Sequence, residues 1–196
     1  MPESSQTGTL IVGRREISPG ILMPGSERDP VRDALLRKEQ RHEQNIGILI
    51  RQLSDSNPTF RIRAAEALSS IGDPRGVEPL IALLSDPAPD VVWVTLRSLG
   101  NLRDLRAVDP LLACLTDTDR WIRQGAAWAL GEIGDPRAAP AIVQLLSDSK
   151  TGVRKAAAEA LGKMGDTRFL TALEPLFDDD EIEVRQAARD AARKLA

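Results

Sequence analysis

The sequence of 196 residues contains only one cysteine, Cys114, and only one histidine, His42. A lone cysteine can form neither an internal disulfide nor a cysteine-based zinc site, which is typical of a protein from a reducing compartment. A lone histidine excludes metal sites built from several His-Glu pairs and leaves no Ser-His-Asp or Cys-His catalytic arrangement. We therefore predict no metal site, no resident cofactor and no catalytic residue, which favours a non-catalytic protein. Cys114 aligns with leucines of neighbouring repeats and is expected to pack as a small apolar residue, and His42 to be a solvated helix or turn residue.

Long apolar runs and a large net charge are also lacking. No apolar run approaches the roughly 18 residues that a membrane-spanning helix needs, and the first twenty residues lack the basic start and apolar core of an export signal. The 26 Lys and Arg residues nearly balance the 29 Asp and Glu residues, giving a net charge of −3. Such a balance provides no general attraction to nucleic acid or anionic membranes. We expect a cytoplasmic protein that makes no membrane contact and for which nucleic acid is an unfavoured partner.

The main feature of the sequence is a repeat with a period of 31 residues. The segment Ile122–Asp135, IRQGAAWALGEIGD, returns in modified form along most of the chain. Its copies are Phe60–Asp73, Val91–Asp104, Val153–Asp166 and a shorter Val184–Leu195. Within each unit, apolar residues recur at about 3.6-residue spacing, an Asp-x-Arg turn follows, and a second apolar helical stretch completes the unit. This pattern predicts an all-α solenoid of antiparallel helix pairs.

The repeat boundaries divide the chain into three parts. Residues 1–28 combine several glycines and prolines with no helical period, and are expected to form an extended tail. It is either a flexible or loosely docked leader or a segment that lies on a partner or on the solenoid's own end. Residues 29–53 begin with Asp29 as a cap before Pro30 and form a degenerate N-terminal capping repeat whose charged first helix faces solvent. Residues 54–196 hold four full units and a C-terminal capping helix.

Charged residues recur in columns at the same period. An aspartate precedes each first helix, where it is predicted to cap the helix. An arginine follows in most units, and we interpret the two sets as Asp-Arg pairs and carbonyl contacts that tie one unit to the next. Val92 interrupts the arginine column in the second unit. The aspartates are Asp55, Asp86, Asp117, Asp148 and Asp179, and the arginines are Arg61, Arg123, Arg154 and Arg185.

The consensus V-R-x-x-A-A-x-x-L-G-x-I-G-D, followed by R-A-V-x-P-L, resembles the HEAT-like repeats of the phycobilisome lyase type. The resemblance covers roughly residues 46–196. It implies a right-handed stack of helix pairs that commonly acts as a protein-interaction scaffold and that carries no fixed chemistry. Proteins similar to this one include subunits of bilin lyases and phycobilisome-degradation factors. A tetratricopeptide array is the alternative fold, but its 34-residue period and signature residues are absent.

The departures from the repeat point to a candidate binding site. All three tryptophans, Trp93, Trp121 and Trp128, fall in the outward columns of the first helices of units two and three, and are expected to form a triangular patch. In one interpretation they pack between units or under the N-terminal tail. In the other they form a recognition site for another protein, because aromatic and arginine residues commonly anchor interfaces. This site is centred on Trp93 and Trp128 and also includes Trp121, Val94, Arg97, Gln124 and Ile62.

Three classes of function remain open from the sequence. A non-catalytic protein-binding scaffold or assembly factor agrees best with the repeats and with the missing catalytic groups. A bilin-handling lyase subunit or phycobilisome-degradation factor is the alternative, since an aromatic concave surface could hold an extended tetrapyrrole as a cofactor or substrate. A nucleic-acid-binding repeat protein comes third, because the net charge of −3 disfavours it.

Overall fold

The computed structural model describes residues 29–196, so the predicted tail of residues 1–28 and its proposed docking lie outside the described residues. The chain divides into two units, Met1–Arg37 and Lys38–Ala196. The described part of the first unit is the beginning of a helix. There the Asp29 Oδ1 atom accepts a hydrogen bond from the Val31 N–H group at 3.0 Å, as the predicted cap requires.

Residues 29–196 contain α-helices and short 3-10 helices and no β-strand. None of these helices is both long enough and apolar enough to cross a membrane. The α-helices are α1 (Pro30–Gln52), α2 (Pro58–Ile71), α3 (Val77–Ala82), α4 (Pro89–Leu102), α5 (Val108–Cys114), α6 (Arg120–Ile133), α7 (Ala139–Gln144), α8 (Thr151–Met164), α9 (Leu170–Leu173) and α10 (Ile182–Leu195). The predicted all-α solenoid of helical repeats is confirmed.

The opening repeat is one continuous helix, α1, whereas its sequence was expected to hold a separate charged first helix. No Gly-Asp turn interrupts this stretch, so the helix continues through it. Its C-terminal part takes the place of a second helix. Ile46 and Leu53 are only 1% and 4% exposed, and they lie one period before Val77 and Leu84.

Each repeat consists of a 14-residue first helix, a tight turn and a short second helix. The turn begins with a left-handed residue, which is a glycine in three repeats (φ about +74°) and Arg103 at φ +53° in the second. The aspartate that follows caps a 3-10 turn. In the third repeat, Asp135 accepts the Arg137 N–H at 2.9 Å and the Arg137 guanidinium at 2.8 Å. Flanking 3-10 turns leave only four to seven α-helical residues in the second helices of the full repeats.

The first helices α2, α4, α6, α8 and α10 pack against one another in chain order, and small residues allow them to approach closely. A Cβ atom added to Gly131 of α6 would lie 2.7 Å from the Cα of Ala160 on α8. One added to Gly162 of α8 would lie 2.8 Å from the Cα of Ala191 on α10. Contacts this short exclude any larger residue at these glycines without a shift of the helices.

A bidentate ion pair ties neighbouring repeats, as the charged columns predicted. The Arg123 Nε and Nη2 atoms donate to the Asp148 carboxylate of the next repeat at 2.8 and 3.0 Å, and Nη1 donates to the Asp117 carbonyl at 2.8 Å. The pairs Arg61–Asp86 and Arg154–Asp179 repeat this arrangement. The second repeat has the buried Val92 instead of an arginine, and in the described structure the Asp117 carboxylate accepts no arginine hydrogen bond.

The aspartates of these pairs do not cap their helices directly, which corrects the sequence prediction. The Asp148 Oδ1 atom accepts the N–H of Lys150 at 2.8 Å, and Lys150 is itself the N-cap residue of α8. The same two-residue turn precedes the other first helices. The aspartate therefore shapes the entry to the helix, and both of its carboxylate oxygens also accept hydrogen bonds from the arginine.

We expect Asp148→Asn to lower the free energy of unfolding by about 1–2 kcal/mol, because the amide keeps the turn but loses the charged pair with Arg123. Urea unfolding followed by circular dichroism measures the change. The matched control is Asp117→Asn, which keeps the same turn where Val92 supplies no arginine. Equal destabilisation by the two variants would contradict a stabilising ion pair.

Acid is expected to destabilise the fold. In Asp179, the hydrogen bonds from Arg154 outweigh burial and lower the carboxyl pKa. In Asp148, burial raises the carboxyl pKa. The hydrogen bonds from Arg123 and from the Lys150 N–H together lower it by a larger amount, so the net shift is downward. Because these aspartates have a lower pKa in the folded state, the unfolded chain binds more protons in acid. The stability that they contribute above about pH 4 is therefore lost as the pH falls. Urea unfolding at pH 7 and pH 3 checks this, and Asp148→Asn should show a smaller loss.

Candidate functional site

The outward positions of the first helices meet on one face because the helices lie side by side in register. Positions 31 residues apart occupy equivalent places on α4, α6, α8 and α10. One column therefore contains Trp93, Gln124 and Lys155, and another contains Arg97, Trp128 and Glu159. The site is built by the stacking of repeats and not by any single loop.

Trp93 and Trp128 are half-buried because each ring lies against a glycine of the neighbouring helix. A Cβ atom on Gly125 of α6 would lie 3.1 Å from the Trp93 ring, and one on Gly100 of α4 would lie 2.7 Å from the Trp128 ring. The two tryptophans thus fill space across the α4–α6 junction in both directions. One interpretation of the sequence was that the tryptophans pack between units. Trp93 and Trp128 do so with part of their surface.

Trp121 has a different environment, with 51% of its surface exposed. Its ring meets Trp93 edge to face, with ring centroids 6.3 Å apart and planes at 79°. This is a favoured geometry for aromatic pairs. The Arg120 guanidinium lies 4.7 Å from the centroid of the Trp121 ring. The pairing holds Trp121 in a defined position while much of its surface remains open to a ligand.

A cluster of charged side chains lies next to the Trp128 ring. The Lys163 ammonium lies 5.4 Å from the ring centroid and donates a hydrogen bond to Glu132, which also accepts one from Arg103 at 2.7 Å. Hydrogen bonds from Lys163 and Arg103 outweigh burial and lower the pKa of Glu132. The cluster links three repeats and restricts the Trp128 side chain.

Together these side chains border a groove of about 550 Å³. Its lining comes from four successive first helices and consists of Trp93, Arg97, Trp121, Gln124, Gly125, Trp128, Gly152, Lys155, Ala156, Glu159 and Glu183. Tryptophan rings dominate one end. At the other end Lys155 donates to Glu183 at 3.2 Å. The groove is open, largely apolar, and edged by two basic and two acidic side chains.

The structure brings five of the seven predicted site residues to this groove: Trp93, Arg97, Trp121, Gln124 and Trp128. Val94 instead lines a neighbouring polar depression together with Arg97. Ile62 is half-buried against the core on α2 and lines neither depression. Lys155, Glu159 and Glu183 stand in the same columns as the tryptophans but were not among the predicted site residues, because they are polar.

The lone histidine and the lone cysteine both contact neighbouring parts of the repeats. His42 Nε2 lies 3.2 Å from the Asp73 carboxylate of the first turn, so it is hydrogen-bonded and not simply solvated. Cys114 is partly buried against the core, as predicted. Burial, together with the nearby charge of Asp117, raises the pKa of its thiol. A raised pKa disfavours the reactive thiolate.

Stacked helix pairs with a groove across their first helices define a tandem helical-repeat protein of the α-solenoid class. HEAT repeats match the chain over residues 31–93, 46–129, 77–150 and 108–193. The chain therefore belongs to the HEAT repeat family. No curated protein matches it.

Solved structures share this fold. The complex of CpcE and CpcF of phycocyanin lyase from Nostoc sp. PCC7120 is similar with a TM-score of 0.69 and 24% identity, over 96% of this chain and 70% of that one. An engineered protein is similar with a TM-score of 0.62 and 25% identity, over 83% of both chains. A designed armadillo repeat protein in complex with a (KR)4 peptide is similar with a TM-score of 0.59 and 20% identity, over 86% of this chain and 96% of that one.

Two tryptophans of helix α6 are expected to differ in their structural importance. Trp128→Ala removes a ring packed on Gly100 and should lower the free energy of unfolding by about 1–3 kcal/mol, less than for a fully buried tryptophan. Trp121→Ala removes a half-exposed ring and should cost less than about 1 kcal/mol. Urea unfolding of both variants measures the difference. A larger loss from Trp121→Ala would show that the packing of the two rings is misassigned.

Proposed function

We propose that the protein is a non-catalytic scaffold that holds an extended segment of a partner protein in the tryptophan groove. The observation that supports this most strongly is Trp121, which leaves 51% of its surface exposed while aromatic contact with Trp93 holds it in place. A preorganised, exposed tryptophan next to an arginine is typical of the anchors of protein interfaces.

The dimensions of the groove agree with an extended chain. It crosses four first helices in succession and is open along its length, so a ligand lying along the stack of repeats contacts every helix. The designed armadillo protein shows that a solenoid of this general fold can hold a peptide. The mixed charges at the edge of the groove suit a polypeptide better than a nucleic-acid backbone, which favours basic surfaces.

Alanine in place of Trp121 is expected to weaken peptide binding about tenfold or more, because the variant removes an interface anchor and leaves the fold intact. Peptides are first selected on the purified wild-type protein from a displayed random library, and their affinities are then measured by fluorescence anisotropy. The matched control is Leu105→Ala, which removes an apolar side chain that is 60% exposed in a turn outside the groove. Selected peptides that bind the Trp121 variant as tightly as wild type would place the interface elsewhere.

A second candidate is the binding of a bilin. The fold is shared with the phycocyanin lyase complex, and an aromatic groove edged by Arg97 and Lys155 offers flat surfaces for pyrrole rings and cations for carboxylates. Titration of the protein with phycocyanobilin tests this function. A shift in visible absorbance that is lost in Trp121→Ala would support it, and an unchanged spectrum would count against it.

A further inference from the structure

One column of the groove has opposite charges on either side of a tryptophan. Arg97 on α4, Trp128 on α6 and Glu159 on α8 occupy equivalent positions in three successive repeats and all line the groove. The charge changes from positive to negative along the direction in which the helices stack.

These two charges differ from the others around the groove. Lys155 and Glu183 neutralise each other at 3.2 Å. Glu132 is paired with Arg103 and Lys163. Within residues 29–196, by contrast, neither the Arg97 guanidinium nor the Glu159 carboxylate has an ion-pair or hydrogen-bond partner. No described residue therefore neutralises either charge at the edge of the groove.

We infer that the Arg97–Trp128–Glu159 column selects a partner segment with an apolar anchor flanked by an acidic residue on one side and a basic residue on the other. The acidic residue faces Arg97, the anchor lies on Trp128, and the basic residue faces Glu159. This inference rests on the proposed function and adds the chemistry of the bound segment. Complementary charges at an interface mainly provide selectivity between ligands.

The spacing between the anchor and its charged neighbours follows from the packing of the helices. Neighbouring helix axes lie about 8–10 Å apart. A polyproline II segment rises about 3.1 Å per residue, so three residues span about 9 Å. A charged residue three positions before and another three positions after the anchor would therefore face α4 and α8. Proline spacers also reduce the number of backbone N–H groups that the groove must satisfy.

Three capped, fluorescein-labelled peptides test the inference by anisotropy at low ionic strength. Each has the form X-Pro-Pro-Trp-Pro-Pro-Z, with X and Z as Asp and Arg in the mixed peptide, both Asp in the acidic peptide, and both Arg in the basic peptide. The mixed peptide is made in both orders, with Asp first and with Arg first, so that the comparison does not depend on the direction in which the peptide lies. Each complementary pair is expected to contribute roughly a two- to fivefold difference in affinity, so wild type should bind the mixed peptide most tightly.

Charge reversal should change which peptide is preferred. Arg97→Glu leaves acidic groups on both sides of Trp128 and should prefer the basic peptide, and Glu159→Arg should prefer the acidic one. The double variant Arg97→Glu with Glu159→Arg keeps the net charge and should again prefer the mixed peptide. Arg63→Glu alters the net charge on α2, outside the groove, and should leave the wild-type preference intact.

The possible failures can be told apart. If all three peptides bind with equal affinity and Trp121→Ala weakens each of them, the proposed function stands and the charge selection is wrong. If the Arg63 control changes the preference as much as Arg97→Glu does, the effect is general electrostatics and the inference is wrong. If wild type binds none of the peptides, both the inference and the proposal that the groove holds an extended segment are contradicted.

Discussion

The close approach of successive first helices is the constraint on which the rest of the structure depends. Glycines at equivalent positions of α4, α6 and α8 each lie against the next helix, where an added Cβ would come within 2.7–2.8 Å of its neighbour. This spacing keeps α4, α6, α8 and α10 in register. It allows the arginine of one repeat to reach the aspartate of the next, and it brings side chains separated by 31 residues onto one face. The groove follows from the same constraint.

One junction combines two departures from the repeat. Of the junctions that join α2, α4, α6, α8 and α10, the α4–α6 junction lacks the arginine-aspartate pair, because Val92 replaces the arginine. The same junction carries all three tryptophans, and Trp93 and Trp128 pack across it against Gly125 and Gly100. Aromatic packing and the Arg103–Glu132 ion pair thus join these two repeats, whereas an arginine-aspartate pair joins the others. The proposed binding surface and this repeat interface are built from the same side chains.

The sequence predicted the repeat units, and five of its seven candidate site residues line one groove. The period placed Trp93, Trp121 and Trp128 together, and in the structure all three line one groove. It did not distinguish Trp121, which is exposed, from Trp128, which is packed on a glycine, because both occupy outward positions of the same helix. Ile62 was assigned to the site but lies apart from it. Lys155 and Glu159 were not selected because a polar residue at an exposed position carries no signal of its own.

By itself, the sequence determined the helical repeats, their boundaries and the columns of residues that share a face, because these depend on local periodicity and on recurring turn residues. Only the tertiary structure decided how each column is used. Whether an arginine meets an aspartate, whether a tryptophan is covered, and which charges remain unpaired all depend on distances between neighbouring helices. Arg97, Arg103 and Arg123 illustrate the difference, since they are chemically equivalent in the sequence. Arg97 faces the groove with no ion-pair partner among residues 29–196, Arg103 joins the Glu132 cluster, and Arg123 ties two repeats together.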